Sequence, residues 1–151
     1  MPHPRSLALV AVGGTLGVAS REALGLAMAG MFPMADGASL PWAVILANVA
    51  GALLLGLLYG ALAHRRLIHH TTRLGQTLRL LLGIGFCGGF TTYSTFAVGL
   101  VLLAGTTDPL HATLWALGIV IAGALASWAG MVLGGGRLTG GPQVHPAGDR
   151  T

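Results

Sequence analysis

Four long apolar stretches make up most of the chain, and short polar segments separate them. A helix needs about 20 predominantly apolar residues to cross the hydrocarbon layer of a bilayer. The sequence therefore predicts an all-α integral membrane protein with four transmembrane helices. The predicted spans cover about residues 6–32, 41–63, 78–104 and 111–134.

These spans form one predicted transmembrane domain over residues 1–134. The segment 135–151 is polar and rich in Gly and Pro, which is typical of a flexible chain end. The loops between the spans are too short to form a soluble domain. We therefore do not expect an enzyme.

Charged residues make up 8% of the chain, against about 25% in an ordinary soluble domain. This composition excludes a soluble globular protein, and it argues equally against disorder, which needs more charge. The net charge of +4 does not indicate nucleic-acid binding, because eight Arg residues in an apolar chain do not form a basic groove. The single cysteine, Cys87, excludes an internal disulfide and a Cys-rich zinc site.

The arginines lie almost entirely on one side of the predicted membrane domain. With four spans, the N-terminus, the middle loop and the C-terminus share that side, whereas the opposite loops carry only Asp36 and Asp108. The positive-inside rule then predicts that both termini are cytoplasmic. The arginines of the cytoplasmic side are Arg5, Arg65, Arg66, Arg73, Arg79, Arg137 and Arg150.

Polar residues inside a span are costly and are therefore functional candidates. Arg21 and Glu22 are adjacent in the first span. Neighbours on a helix point about 100° apart, so these two need not pair. The alternative to a functional role is that both lie near the far membrane interface and extend their polar ends to it. Asn48 in the second span either serves the function or joins two helices. Ser127 in the fourth span is a weaker candidate.

The third span carries the strongest signal, a polar run from Gly88 to Thr95 at the middle of the membrane. Two consecutive glycines permit non-helical backbone angles, and the hydroxyls that follow can satisfy freed backbone groups. A helix broken at this depth is tolerated only where it is buried in protein or lines a cavity. We therefore predict a broken helix at an ion site; the alternative is an intact helix whose hydroxyls bond their own carbonyls.

Small residues recur four apart in several spans, a pattern that lets helix backbones approach closely. Four tightly packed helices make a thin wall around any pore, so an oligomer is expected. The pairs are Gly13/Gly17, Ala47/Gly51, Gly56/Gly60, Gly85/Gly89 and Gly130/Gly134.

The polar groups within the spans are mostly donors, and rings of carboxylates typical of a cation pore are missing from the sequence pattern. Hydroxyls, an amide and the positive edges of aromatic rings suit a small, hard anion. This chemistry does not choose among anions.

The segment Gly85 to Phe96 looks like the signature of the Fluc (CrcB) fluoride channels, whose usual form is GFxGGxTTFSTF. The glycine cluster from Gly13 to Arg21 and the NxxG pattern from Asn48 to Gly51 are also similar to that family. The resemblance covers about residues 7–134. It implies a fluoride-selective channel in the bacterial plasma (inner) membrane that exports cytoplasmic fluoride passively.

The resemblance further implies a dimer of two oppositely oriented subunits with two pores along their interface. The matching fluoride-pathway positions are Asn48, Tyr93, Phe96, Ser94, Thr95, Ser127 and a vestibule arginine, Arg21. A structural sodium ion at the dimer centre is implied at the backbone carbonyls of Gly88 and Thr91. Fluoride, a second subunit and membrane lipid are the expected partners, and nucleic acid is not.

The chain departs from the family pattern in two places. Tyr93 stands where Phe is usual. The fourth span of the family carries polar residues four apart, at positions that match Ile119, Gly123 and Ser127, and of these only Ser127 is polar here. The charge bias raises a further question, because a homodimer of inverted subunits needs one chain to insert both ways. We hypothesise one fixed-orientation half of a heterodimer; the alternative is a homodimer whose bias is overridden during assembly.

Two other functions fit four short spans. A proton-coupled small multidrug-type transporter also works as an inverted dimer and would use Glu22, but it needs no broken third span. A membrane scaffold without transport would need only the small-residue patterns.

Overall fold

The structure is a computed structural model that describes residues 4–31, 42–64, 73–106 and 108–135. Within these ranges every element of secondary structure is a helix. The elements are α1 (Pro4–Met31), α2 (Trp42–His64), α3 (Arg73–Leu78), a π-helix (Arg79–Cys87), α4 (Gly88–Phe90), α5 (Ser94–Thr106) and α6 (Pro109–Gly135). The predicted tail beyond residue 135 lies outside the described residues.

Four helical segments are long and apolar enough to cross a membrane, and α3, the π-helix, α4 and α5 together form the third of them. The prediction of an all-α, four-span membrane protein is therefore confirmed. The segments are Pro4–Ala29, Trp42–Ala63, Arg73–Leu102 and Pro109–Gly135.

The third span is broken, as predicted, but not at its glycines. Gly88 keeps helical angles (φ −64°, ψ −34°), and α4 ends at Phe90. The chain turns extended at Thr91 (φ −84°, ψ 153°) and resumes as α5 at Ser94. Gly89 is needed for packing instead, because a Cβ on it would overlap the carbonyl oxygen of Gly14, whereas nothing lies within 4 Å of a Cβ on Gly88.

The segment before the break is wound as a π-helix over nine residues, Arg79–Cys87. Hydrophobic pattern does not distinguish π from α winding, so the sequence predicted only a membrane helix here. Such winding is rare, and it is frequently found at functional sites.

The helices pack as two parallel pairs. Gly13 and Gly17 of α1 lie against Leu81 to Phe90 of the third span, and Gly56 and Gly60 of α2 lie against Ser127 to Gly135 of α6. At one end of the second pair, the rings of Trp42 and Trp115 meet edge to face with centroids 6.4 Å apart. The predicted close packing at the spaced glycines is confirmed.

The interior of the described chain contains few large side chains. Its buried apolar residues are Ala47, Leu62, Cys87 and Ala112. The helices approach backbone against backbone at several points, since a Cβ on Gly17, Gly56, Gly60, Gly130 or Gly134 would overlap a neighbouring carbonyl oxygen. Large apolar side chains point outward, which suits a chain surrounded by lipid.

Candidate functional site

An open groove of about 540 Å³ runs beside the break in the third span. Its walls come from α2, the broken third span and α6. Among its lining residues are Asn48, Gly88, Thr91, Tyr93, Phe96 and Gly123. Five of the positions predicted to handle fluoride or sodium therefore share this groove.

Asn48 of α2 is tied to the break by two hydrogen bonds to one residue. Its Nδ2 donates to the carbonyl oxygen of Thr92 at 3.0 Å, and its Oδ1 accepts from the Thr92 backbone N–H at 2.8 Å. The amide thus satisfies a donor and an acceptor that the break removes from the helical ladder. Asn48 also lines the groove, and its amide has a second N–H besides the one that it donates to Thr92.

The carbonyl end of α4 is closed by Thr91. Its backbone N–H and its hydroxyl Oγ1 both donate to the Cys87 carbonyl oxygen, at 3.0 and 2.8 Å. An intact helix with hydroxyls bonded to its own carbonyls was the alternative to a broken helix. The Thr91 hydroxyl does make such a bond, but the helix nevertheless ends here. In a continuous α-helix the Thr92 N–H would reach the Gly88 carbonyl, but here it donates to Asn48. The Gly88 carbonyl therefore does not receive the N–H of Thr92, and Gly88 lines the groove.

Three hydroxyls gather at the start of α5. Thr92 Oγ1 lies 3.3 Å from both Ser94 Oγ and Thr95 Oγ1. All three residues are at least partly exposed. Thr92 lines the groove, whereas Ser94 and Thr95 do not line it and contact it only through their hydroxyl contacts with Thr92.

Two aromatic rings line the groove at the start of α5. Tyr93 and Phe96 are three residues apart, which places them on neighbouring turns of one face. Tyr93 lies just before α5, and 82% of the residue is exposed.

Arg21 lies on the other side of the third span, outside the groove. Its Nη1 donates to the Gly89 carbonyl oxygen at 3.4 Å, and its Nη2 is 3.4 Å from Glu22 Oε1. Its side chain is 24% exposed and that of Glu22 is 69% exposed. Arg21 and Glu22 therefore form an ion pair, although their positions on the helix did not require one. Arg21 also donates to a backbone carbonyl close to the break.

Ser127 is located where α6 crosses α2. A Cβ on Gly56 would overlap its carbonyl oxygen, so this stretch of α6 is in backbone contact with α2. The two positions one and two turns earlier, Gly123 and Ile119, do line the groove. The face that α6 turns to the groove is consequently apolar at both positions.

A family model described as CrcB-like protein, camphor resistance (CrcB), matches residues 8–131. This chain belongs to the CrcB family. Among its CrcB relatives, the fluoride-specific ion channel FluC of Sphingopyxis alaskensis is 38% identical over 128 residues, which cover 85% of this chain and 94% of the relative.

Two further relatives carry similar names. The fluoride-specific ion channel FluC 2 of Rhodococcus jostii is 41% identical over 125 residues, covering 83% of this chain and 95% of the relative. The FluC of Chlorobium luteolum is 33% identical over 130 residues, covering 86% and 92%. These are names of ion channels and not of enzymes, in agreement with the prediction that this CrcB protein is not an enzyme.

Sequence reasoning missed Thr92 in this CrcB chain. Thr92 joins Asn48 to the hydroxyls at the start of α5, although only its neighbours Thr91 and Tyr93 were named as candidates. The signal that could have found it is position alone, because the residue at the centre of a broken helix has backbone groups in need of partners.

Proposed function

We propose that this chain is one subunit of a fluoride-selective channel that lets cytoplasmic fluoride leave passively and so lowers its toxicity. The observation that carries the proposal is the broken third span beside a groove lined by Asn48, Tyr93 and Phe96. The fluoride-specific names of the CrcB relatives support it.

The groove offers what a small, hard anion needs. The second N–H of Asn48 and the ring edges of Tyr93 and Phe96 present partial positive charge, and none of the described residues that line the groove is a carboxylate. The start of α5 adds the positive end of a helix, with the hydroxyls of Ser94 and Thr95 beside it. Ser127 is assigned to the fluoride pathway outside the groove. Arg21 is assigned to the vestibule as a cation, and its guanidinium is paired with Glu22.

A second subunit in the opposite orientation would close the groove. Polar backbone at the middle of a membrane must be shielded from lipid. Gly88 and Gly123 line the groove with nothing within 4 Å of where a Cβ would stand, so a neighbouring backbone has room to approach. A two-fold axis that lies in the plane of the membrane would bring two such grooves together and form two pores.

A structural sodium ion fits the carbonyls beside the groove. Hard cations prefer oxygen ligands, and the Gly88 carbonyl is the one from which the break diverts a helical donor. The Thr91 carbonyl follows it at the first extended residue. Two carbonyls from each of two subunits would hold the ion, whose charge would tie the two breaks together.

The partner subunit is either a second copy or a related chain. The surplus of arginine on one side favours a fixed orientation with both termini in the cytoplasm, and thus a paired homologue in the bacterial inner membrane. Rhodococcus jostii has two relatives of this chain, named FluC 1 and FluC 2, so two family members do occur in one organism.

Fluoride efflux from liposomes tests this function. Purified protein is reconstituted into vesicles loaded with potassium fluoride, and efflux is started with a potassium ionophore. Rapid fluoride release, little chloride release and no effect of an imposed proton gradient are expected. Release that requires the proton gradient would support the small multidrug-type transporter instead. An absence of release, both from this chain alone and from this chain with a paired homologue, would contradict the channel.

A further inference from the structure

A second cavity, of about 460 Å³, lies between the beginnings of α1 and α3, far from the break. Because α1 and the third span run parallel, both segments begin at the same membrane surface. The polar residues that line the cavity are Arg5 and Ser6 from α1 and Arg73, Gln76 and Thr77 from α3.

The two walls of this cavity change polarity in the same direction. On α1, Arg5 is followed one turn deeper by Leu9, and on the third span Arg73 is followed two turns deeper by Leu80. The cavity is thus cationic at the membrane surface and apolar towards the membrane interior. A phospholipid has this order of chemistry, with a phosphate above and acyl chains below.

The positive charge of the cavity has no carboxylate beside it within the described residues. The carboxylates there are Glu22, which pairs with Arg21, and Asp108, which lies 3.7 Å from His111 at the start of α6. Arginine binds phosphate through two parallel N–H groups, so two arginines facing one cavity complement an anionic headgroup.

The remaining donors fit the same ligand. The Thr77 hydroxyl already donates to the Arg73 carbonyl oxygen at 2.8 Å, so it offers only a lone pair. The amide of Gln76 and the hydroxyl of Ser6 are the neutral donors that line the cavity beside the two arginines.

We propose that this cavity binds the phosphate headgroup of an anionic phospholipid, held between Arg5 and Arg73 with its acyl chains against Leu9 and Leu80. The charge-based orientation puts the cavity on the cytoplasmic leaflet, where anionic lipids are concentrated and basic pockets between helices bind their headgroups. This inference is independent of fluoride conduction.

Native mass spectrometry of the full chain, released from detergent with phosphatidylglycerol or phosphatidylcholine added, tests the site. The unmodified protein should retain phosphatidylglycerol in preference to phosphatidylcholine. The Arg5→Gln/Arg73→Gln double variant should lose about thirtyfold of this preference, since each arginine near an anionic headgroup contributes about fivefold. If the double variant aggregates, each single variant should lose about fivefold.

Arg79→Gln is the matched control. It removes the same charge from the same span, but the Arg79 guanidinium lies over the Tyr59 ring, 5.8 Å from the centroid, and does not line the cavity. It should keep the preference. An unchanged preference in the double variant, or an equal loss in Arg79→Gln, would overturn the proposal. So would displacement of the lipid by millimolar inorganic phosphate, which would assign the cavity to a free anion.

Discussion

Asn48 holds Thr92 by both of its backbone polar groups, at 2.8 Å to the N–H and 3.0 Å to the carbonyl. One side chain of α2 thereby replaces two helical hydrogen bonds that the third span gives up at its break. The position of the rings that follow, Tyr93 and Phe96, therefore depends on α2 as well as on their own helix.

The first prediction concerns this clamp. Asn48→Ala and a backbone ester in place of the Thr92 amide, which removes the N–H that Asn48 accepts, should each lower fluoride efflux by about tenfold, because each breaks a part-buried hydrogen bond. Combined, they should lower it no further than the stronger single change, since contacting groups are not additive. Initial efflux rates from liposomes measure this. Fully multiplied losses would mean that Asn48 acts on the ion without acting through Thr92.

The second prediction separates the ring of Tyr93 from its hydroxyl. Tyr93→Phe should keep efflux within about twofold, because the positive ring edge is retained. Tyr93→Ile, whose side chain is apolar like that of Phe but has no ring, should lower fluoride efflux about tenfold. Efflux assays on both variants in parallel decide the matter, and a large loss in Tyr93→Phe would identify the hydroxyl as a ligand or as a contact to the partner.

The third prediction uses two glycines of α1. Gly17→Ala places a Cβ against the Phe86 carbonyl oxygen, whereas nothing lies within 4 Å of a Cβ on Gly25. Gly17→Ala should therefore destabilise the protein by about 1–3 kcal/mol, and Gly25→Ala should be neutral or stabilise it by up to about 1 kcal/mol. Thermal unfolding in detergent compares the two variants. Equal behaviour would contradict the backbone contact between α1 and the third span.

The fourth prediction concerns Glu22. Its carboxylate is 69% exposed and pairs with Arg21, and such exposed pairs contribute about 0–1 kcal/mol. Glu22→Gln should therefore leave fluoride efflux within about fivefold of the unmodified protein, both with and without a proton gradient. A transporter that carries protons on Glu22 would instead lose its activity.

The fifth prediction concerns orientation. A reporter fused to the C-terminus should be active only on the cytoplasmic side, because the arginines bias insertion strongly. Equal activity of the fusion on both sides would contradict a fixed orientation and favour a homodimer. The mass of the purified complex, with and without a co-expressed homologue, then identifies the second subunit.

The sequence was sufficient for the four spans, the tight glycine contacts and the broken third span, because hydropathy and residue size act locally. The location of the break within the polar run was not predictable from the glycines, since Gly89 is required by its contact with Gly14 on another helix. The π winding was also hidden, because it uses the same apolar residues as an α-helix.

The partners of the polar side chains depended on tertiary placement. Nothing in the spacing of Arg21 indicated that its guanidinium reaches the Gly89 carbonyl, 68 positions away along the chain. Likewise, Ser127 has the spacing of a pore residue, but it lies in the backbone contact between α6 and α2. Only the arrangement of all four spans determines which polar positions face the groove.

The backbone-to-backbone packing of the helices has a consequence for how such a chain can vary over evolution. Residues that face outward and lie away from the groove can change among apolar types freely, because little of the interior is made of their side chains. Gly13, Gly17, Gly56 and Gly130 have no such freedom, since even one methyl group would separate two main chains. Divergence of this protein should therefore be concentrated on the outer faces away from the groove, around an internal set of glycines that cannot drift.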